Sequence, residues 1–220
     1  MEWITNRHHF LKESCMRLKP VQKAVAKLKR TWRRFALRDV RYSNDYKKLD
    51  TFYTVPDPWL MASPSEQFRF GETNRLIVEK FGRVASLLEI GCGEGHQSLY
   101  LQNVCDRLTG LDVSVRAVKR ARGRCPQAEF VVGDIFSQEV SAFAPFDLVV
   151  ACEVLYYMRD VPAAVRQMRS LGRNCLITYF SGEMETLDRQ ALVSLPGTLS
   201  EILAFEQSRW RALWWRSGQA

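Results

Sequence analysis

Five short apolar runs, each set apart from the next by a turn or a helical stretch, constrain this chain more than any other feature. The runs are ASLLEIG (85–91), RLTGLDVS (107–114), AEFVVGD (128–134), FDLVVACEVLYYM (146–158) and NCLITYF (174–180). Between and before them lie EQFRFGETNRLIVEKFG (66–82), EGHQSLYLQNVC (94–105), SVRAVKRARGRC (114–125) and VPAAVRQMRSLG (161–172), all read as helices. Strands alternating with helices of this length imply a parallel sheet, and near-continuous apolar strands fit a sheet covered on both faces. The C-terminal part reads as a helix to about Leu195, then strands EILAFEQ (201–207) and WRALWWR (210–216) in an antiparallel hairpin. The expected fold is therefore α/β: a Rossmann-like, doubly wound, mostly parallel seven-stranded sheet with an antiparallel C-terminal hairpin.

The first 66 residues lie outside that pattern. Residues 1–50 hold 14 Lys and Arg against 5 Asp and Glu, while the remainder holds 18 against 19, so the net charge of +8 belongs to the N-terminus. From Phe10 to Arg38 apolar residues (Leu11, Cys15, Leu18, Val21, Val25, Leu28, Trp32, Phe35) recur at helical steps among lysines and arginines, with Pro20 starting or kinking the helix. From Asp39 to Glu66 three prolines and five aromatics mark a turn-rich segment, placed to act as a lid. Two regions are expected: 1–66, basic amphipathic helix plus lid or linker, and 67–220, the α/β domain. No run is long and apolar enough for a membrane span, and the N-terminus lacks the apolar core of a secretion signal. Six cysteines without a C-x-x-C pair point to free thiols, a cytoplasmic setting and no metal site.

The loop after the first strand, LLEIGCGEGHQ, carries glycines at 91, 93 and 95. A dinucleotide fingerprint needs G-x-G-x-x-G, and its third glycine would fall at His96. Glu89 and Glu94 flank the loop, disfavour a pyrophosphate and favour a ligand bearing positive charge. S-adenosylmethionine, with an ammonium and a sulfonium, is such a ligand, and Glu89 suits its amino-acid end. Asp112 ends the second strand, where an acid can accept the ribose hydroxyls, and Asp134 ends the third, where it can accept from the adenine amine. Each acid alone serves equally as a helix N-cap; three of them at consecutive strand ends converge on one crevice. Gly91, Gly93, Gly95, Glu89, Asp112 and Asp134, with Val113, Ile135 and Cys152, make up the cofactor set.

LLEIGCGEG, LTGLDVS, EFVVGD and FDLVVACEVLYYM together resemble the successive motifs of class I S-adenosylmethionine-dependent methyltransferases, over Gln67 to Phe180. Within that superfamily, DPW (57–59) and EVLYYM (153–158) resemble the rhizobial nodulation N-methyltransferase family. That resemblance implies methylation of the free amine of a de-N-acetylated chitooligosaccharide. It also implies an arginine near Arg69 for the cofactor's carboxylate, the alternative being a surface arginine. The long basic arm and tryptophan-rich C-terminus depart from the family pattern.

The acceptor belongs where the fourth strand ends. Glu153 is placed to bind an ammonium and take its proton, or to cap the following turn; Tyr156 and Tyr157 line the acceptor pocket or serve packing. An amine needs no strong base, and alignment is the main demand. His96 is a further candidate base, whereas His8 and His9 sit in the arm. Trp59 and Tyr53 cover the ligands or staple the lid to the core. The expected activity is methyl transfer to an amine of a small molecule or saccharide. The arm would serve packing, self-association or peripheral membrane contact. The alternative is a methyltransferase holding RNA or protein with its basic arm, for which no N-P-P-Y motif is present.

Overall fold

A computed structural model describes residues 40–189 and 197–216. The expected arm helix, His8, His9, Cys15 and the stretch to Leu195 lie wholly or partly outside these residues. Seven strands form one sheet in the order β3-β2-β1-β4-β5-β7-β6. They are β1 (Val84–Ile90), β2 (Cys105–Asp112), β3 (Glu129–Val132), β4 (Phe146–Cys152), β5 (Gly172–Phe180), β6 (Leu199–Phe205) and β7 (Ser208–Arg216). The first five run parallel, and β7 lies antiparallel between β5 and β6. The mostly parallel sheet with an antiparallel hairpin is thus as the sequence pattern predicts. Because β2 and β4 both flank β1, the strand order reverses there, and open α/β sheets bind ligands outside the strand ends at such a point.

The helices are α1 (Tyr46–Phe52), α2 (Pro64–Phe81), α3 (Ser98–Leu101), α4 (Val115–Arg124), α5 (Gln138–Ser141), α6 (Val161–Leu171) and α7 (Met184–Arg189). Alternate strand residues feed two cores. Leu88, Ile90, Val149, Ala151 and Ile177 pack with Val161, Ala164, Val165 and Met168 of α6. Leu87, Leu148, Val150 and Leu176 pack with Leu76 and Ile77 of α2 and with Leu101. No helix among the described residues is long and apolar enough to cross a membrane.

Four element assignments differ from the sequence pattern. Helix α2 starts at Pro64, since proline's fixed φ and missing N–H suit the first helical turn. The stretch 94–105 yields only one helical turn, which tightens to i+3 bonds (Asn103 N to Tyr100 O, Val104 N to Leu101 O) before β2 begins at Cys105. Asn74 Nδ2 donates to Tyr100 O at 2.6 Å and Arg83 Nη1 to Asn103 O at 2.8 Å. The fourth strand stops at Cys152, where Glu153 turns into the left-handed region at φ 59° and Leu155–Tyr157 winds a 3-10 turn. The turn-rich lid segment also contains a helix, α1, capped by Asp45, whose side chain accepts from Lys48 N.

Candidate functional site

The loop between β1 and α3 opens one crevice at the strand ends, with about 1070 Å³ of empty volume including its mouth. Trp59, Arg69, Glu89, Gly91, Gly93, Asp112, Val113, Asp134, Ile135, Cys152, Glu153, Tyr156 and Tyr157, all singled out from the sequence, line it together. Gly95 is placed differently. An added Cβ there would stand 3.1 Å from the Ala121 Cα, so Gly95 serves close packing against α4. That is the work of the third fingerprint glycine, shifted one position ahead of His96. At Gly93, with φ 54°, an added Cβ would stand 2.9 Å from the Tyr53 hydroxyl, so bare backbone faces the lid.

The acids differ in kind. Glu89 is buried and its carboxyl accepts from Ser98 Oγ at 2.5 Å; burial pushes its pKa up to about 8, against the pull of Ser98 and Arg69. Asp112 accepts from the Gly93 and Ser114 N–H groups at 2.8 and 2.9 Å, and burial still raises it to about 6. Asp134 accepts from Phe136 N at 2.9 Å, and across the crevice burial and this carboxylate raise the Tyr46 phenol. Glu94 is not a crevice charge of the kind expected. It accepts from Arg120 Nη1 at 2.6 Å and from Asp57 N at 2.9 Å, so its charge is neutralised and ties the lid to the glycine loop. Asp57, Glu94 and His96 bring ligand-type atoms within 4.8 Å of one another, and Arg120 pairs with the Glu94 carboxylate of this group. His96 Nε2 sits 3.5 Å from the Glu94 carboxylate, pointed at the lid tether.

At the end of β4, Glu153 accepts from Thr178 Oγ1 (3.2 Å), Phe180 N (3.1 Å) and the Tyr156 hydroxyl (3.2 Å). Burial raises its pKa to about 7, opposed by Arg69. Arg69 is buried, not a surface residue. Its Nε and Nη2 both meet Glu66 at 2.8 Å and its Nη1 donates to Gln97 Oε1 at 2.8 Å. Burial alone would lower its pKa, but Glu66 and Glu153 more than offset this and keep it charged.

The lid is held by groups that composition alone did not single out. Arginines of α4 reach it: Arg116 pairs with Asp50, and Arg120 donates to Tyr53 O at 2.8 Å as well as to Glu94. Ser114 Oγ donates to Asp50 at 2.6 Å. Trp59 donates to the Tyr53 hydroxyl at 2.9 Å, stacks on Phe52 at 4.9 Å and tilts against Tyr157 at 5.4 Å. A strap before α1 runs along the turn after β4, where Tyr42 N donates to Tyr156 O and Asn44 N to Tyr157 O. Its anchor is Glu183, which binds Arg41 and, at 2.7 Å, the Tyr42 hydroxyl. Tyr46, Gln97 and Arg120 were not singled out from the sequence; Gln97 directly follows His96, and Arg120 lies in the basic helix after Asp112.

Comparison with known proteins agrees with this geometry. The family model for nodulation protein S matches residues 43–183. Nodulation protein S of Bradyrhizobium diazoefficiens is 38% identical over 134 residues, 58% of this chain and 63% of that protein. Its counterpart in Sinorhizobium fredii is 38% identical over 127 residues, 56% of this chain and 57% of that one. The matched stretch therefore spans less than two thirds of either relative. The crystal structure of N-methyltransferase NodS from Bradyrhizobium japonicum WM9 with S-adenosyl-L-homocysteine superposes with a TM-score of 0.66 at 25% identity, over 80% of this chain and all of that one. The chain belongs to the nodulation protein S family and has the Rossmann-like methyltransferase fold of that solved member.

Proposed function

We propose that this protein is an S-adenosylmethionine-dependent methyltransferase whose acceptor is an amine, on an amino sugar or a similar small metabolite. The crevice residues fit that cofactor. Asp112 offers free lone pairs to a ribose, Asp134 to an exocyclic amine, and the buried Glu89 carboxyl to an ammonium. When bound, the cofactor supplies a methyl carbon on a sulfonium, activated toward in-line displacement.

Glu153 carries the reading of the acceptor. A carboxyl with pKa about 7 is divided between its two forms at neutral pH, so it can accept the single proton that an ammonium must lose. It is a poor match for a sugar hydroxyl, whose proton is held far more tightly. Thr178, Tyr156 and the Phe180 N–H fix its two oxygens, so its orientation is settled before an acceptor arrives. The left-handed backbone at Glu153 directs the side chain to that position, a strained geometry costing about 1–3 kcal/mol that is met at functional sites. Trp59 and Tyr157 form an aromatic wall beside it, which supports a ring-shaped acceptor such as a pyranose.

Methyl transfer from labelled S-adenosylmethionine to a chitooligosaccharide with one free amine, beside its fully N-acetylated counterpart, tests the proposal. Label on the free amine alone is expected. Label on hydroxyls of both sugars would overturn the amine assignment.

A further inference from the structure

We infer that Gln97 is the residue that grips the carboxylate of the cofactor's amino-acid end, and that Arg69 acts on the cofactor through it. The inference rests on the cofactor reading above. Arg69 is the obvious cation for that carboxylate, but the fork of its guanidinium is occupied: Nε and Nη2 are both on Glu66. The remaining Nη1 donates to Gln97 Oε1. Because a guanidinium can only donate, the Gln97 amide has one allowed orientation: oxygen toward Arg69, nitrogen away from it. That nitrogen is buried and has no hydrogen-bond partner among the described residues, although Gln97 is only 6% exposed and lines the crevice.

A buried amide nitrogen left without an acceptor is costly and calls for a reason. The protein groups around it do not supply one. It faces the sulfur of Cys152, a weak acceptor. No bond joins the amide to the Glu89 carboxyl, which holds Ser98, and the two Glu153 oxygens already take three donors. A carboxylate arriving with the ligand would complete the amide, and Arg69 behind it makes the N–H a stronger donor. The neighbouring acids select which anion can enter. A free phosphate offers no cation to the Glu89 carboxyl, whereas an amino acid's carboxylate brings its own ammonium for it. Gln97 and Glu89 thus form the two halves of a zwitterion site, with Arg69 as the positioning residue for the first half.

Gln97→Glu separates this role from a structural one. The new carboxylate keeps the length of the side chain and strengthens its contact with Arg69, but removes the donor and repels an incoming carboxylate. Titration calorimetry on the full chain would compare S-adenosyl-L-homocysteine with 5′-methylthioadenosine, the same nucleoside thioether without the amino-acid end. Gln97→Glu is expected to weaken the first ligand on the order of 10- to 100-fold, the usual worth of a hydrogen bond to a charged group. It should leave the second ligand unchanged and should not lower the unliganded melting temperature, since the contact with Arg69 is kept. The neutral Gln97→Met should weaken S-adenosyl-L-homocysteine alone, by about tenfold. Undiminished binding of S-adenosyl-L-homocysteine by both variants, or equal loss of both ligands, would overturn the assignment. If the wild-type chain binds neither ligand, the cofactor reading itself falls.

Discussion

Replacing Glu89 with Gln should make the ligand-free protein more stable, and increasingly so as pH rises. The carboxyl is buried, and its pKa stands at about 8 in the fold against an ordinary 4.5. Below pH 4.5 it is protonated whether the chain is folded or not, and it costs nothing. Above that, the unfolded chain releases the proton while the folded one retains it until about pH 8, so wild-type stability falls across that window. Linkage puts the loss at about 1 kcal/mol at pH 5 and about 3 kcal/mol at pH 7. Gln keeps the bond from Ser98 and has no proton to lose, so the variant escapes the penalty. Urea unfolding of both proteins at several pH values measures it: the stability gap should widen by about 2 kcal/mol between pH 5 and pH 7. A gap that does not change with pH would refute a raised pKa at Glu89 and remove the main argument for its burial being functional.

The same carboxyl ties stability to binding. At pH 7 a group with pKa about 8 is roughly nine-tenths protonated, and an ammonium seated against it would expel that proton. Titrating S-adenosyl-L-homocysteine in buffers of different ionisation enthalpy should therefore show close to one proton released at pH 7 by the wild type and none by Glu89→Gln, which should also bind more weakly.

Three further outcomes follow from the geometry. Glu153→Gln should lower kcat/KM about 100-fold or more, a typical contribution of general base catalysis, and abolish the limb of the wild-type pH profile near 7, since Gln cannot accept the proton. Arg120→Ala removes the cation beside Glu94 and a bond to the lid backbone; we expect about 2 kcal/mol lost in unfolding experiments, from a carboxylate left buried without its partner, with faster proteolysis within residues 45–60. Gly91→Ala would put a Cβ 2.5 Å from Val154 Cγ2 at φ 71°; strain and overlap together should cost about 3 kcal/mol, read as a lower melting temperature.

The sheet and its crevice were legible because they depend on local pattern: apolar runs of strand length, turn residues and an acid at each strand end. What lay outside that pattern depends on partners distant in the chain. Glu94 looked like a charge facing the ligand because nothing near it in sequence shows Arg120 from α4 coming to 2.6 Å. The α4 arginines drew no role from the sequence for the same reason, although Arg116 and Arg120 bond to the segment before α2. The third glycine appeared to be missing because the fingerprint fixes its position by spacing, whereas the packing requirement fixes it by contact, and Gly95 meets Ala121. Arg69 was singled out through the family resemblance, but its geometry turns its fork to Glu66 and one nitrogen to Gln97.

The crevice does not select a cation by a standing negative field. Glu89, Glu153 and Asp112 are raised to about 8, 7 and 6, each chiefly by burial, and Glu94, whose pKa is lowered, is matched by Arg120. At neutral pH the empty site therefore holds less charge than its count of acids suggests, and a cation is welcomed by displacing a proton. Affinity and stability must then respond to pH in opposite directions. Between pH 6 and 8, protons leave Glu89 more readily, so S-adenosyl-L-homocysteine should bind more tightly, by up to about tenfold per pH unit, while the ligand-free fold weakens. Parallel calorimetry and unfolding across that range would show the two trends crossing; if both rose or both fell, the raised carboxyls could not be the basis of cation selection.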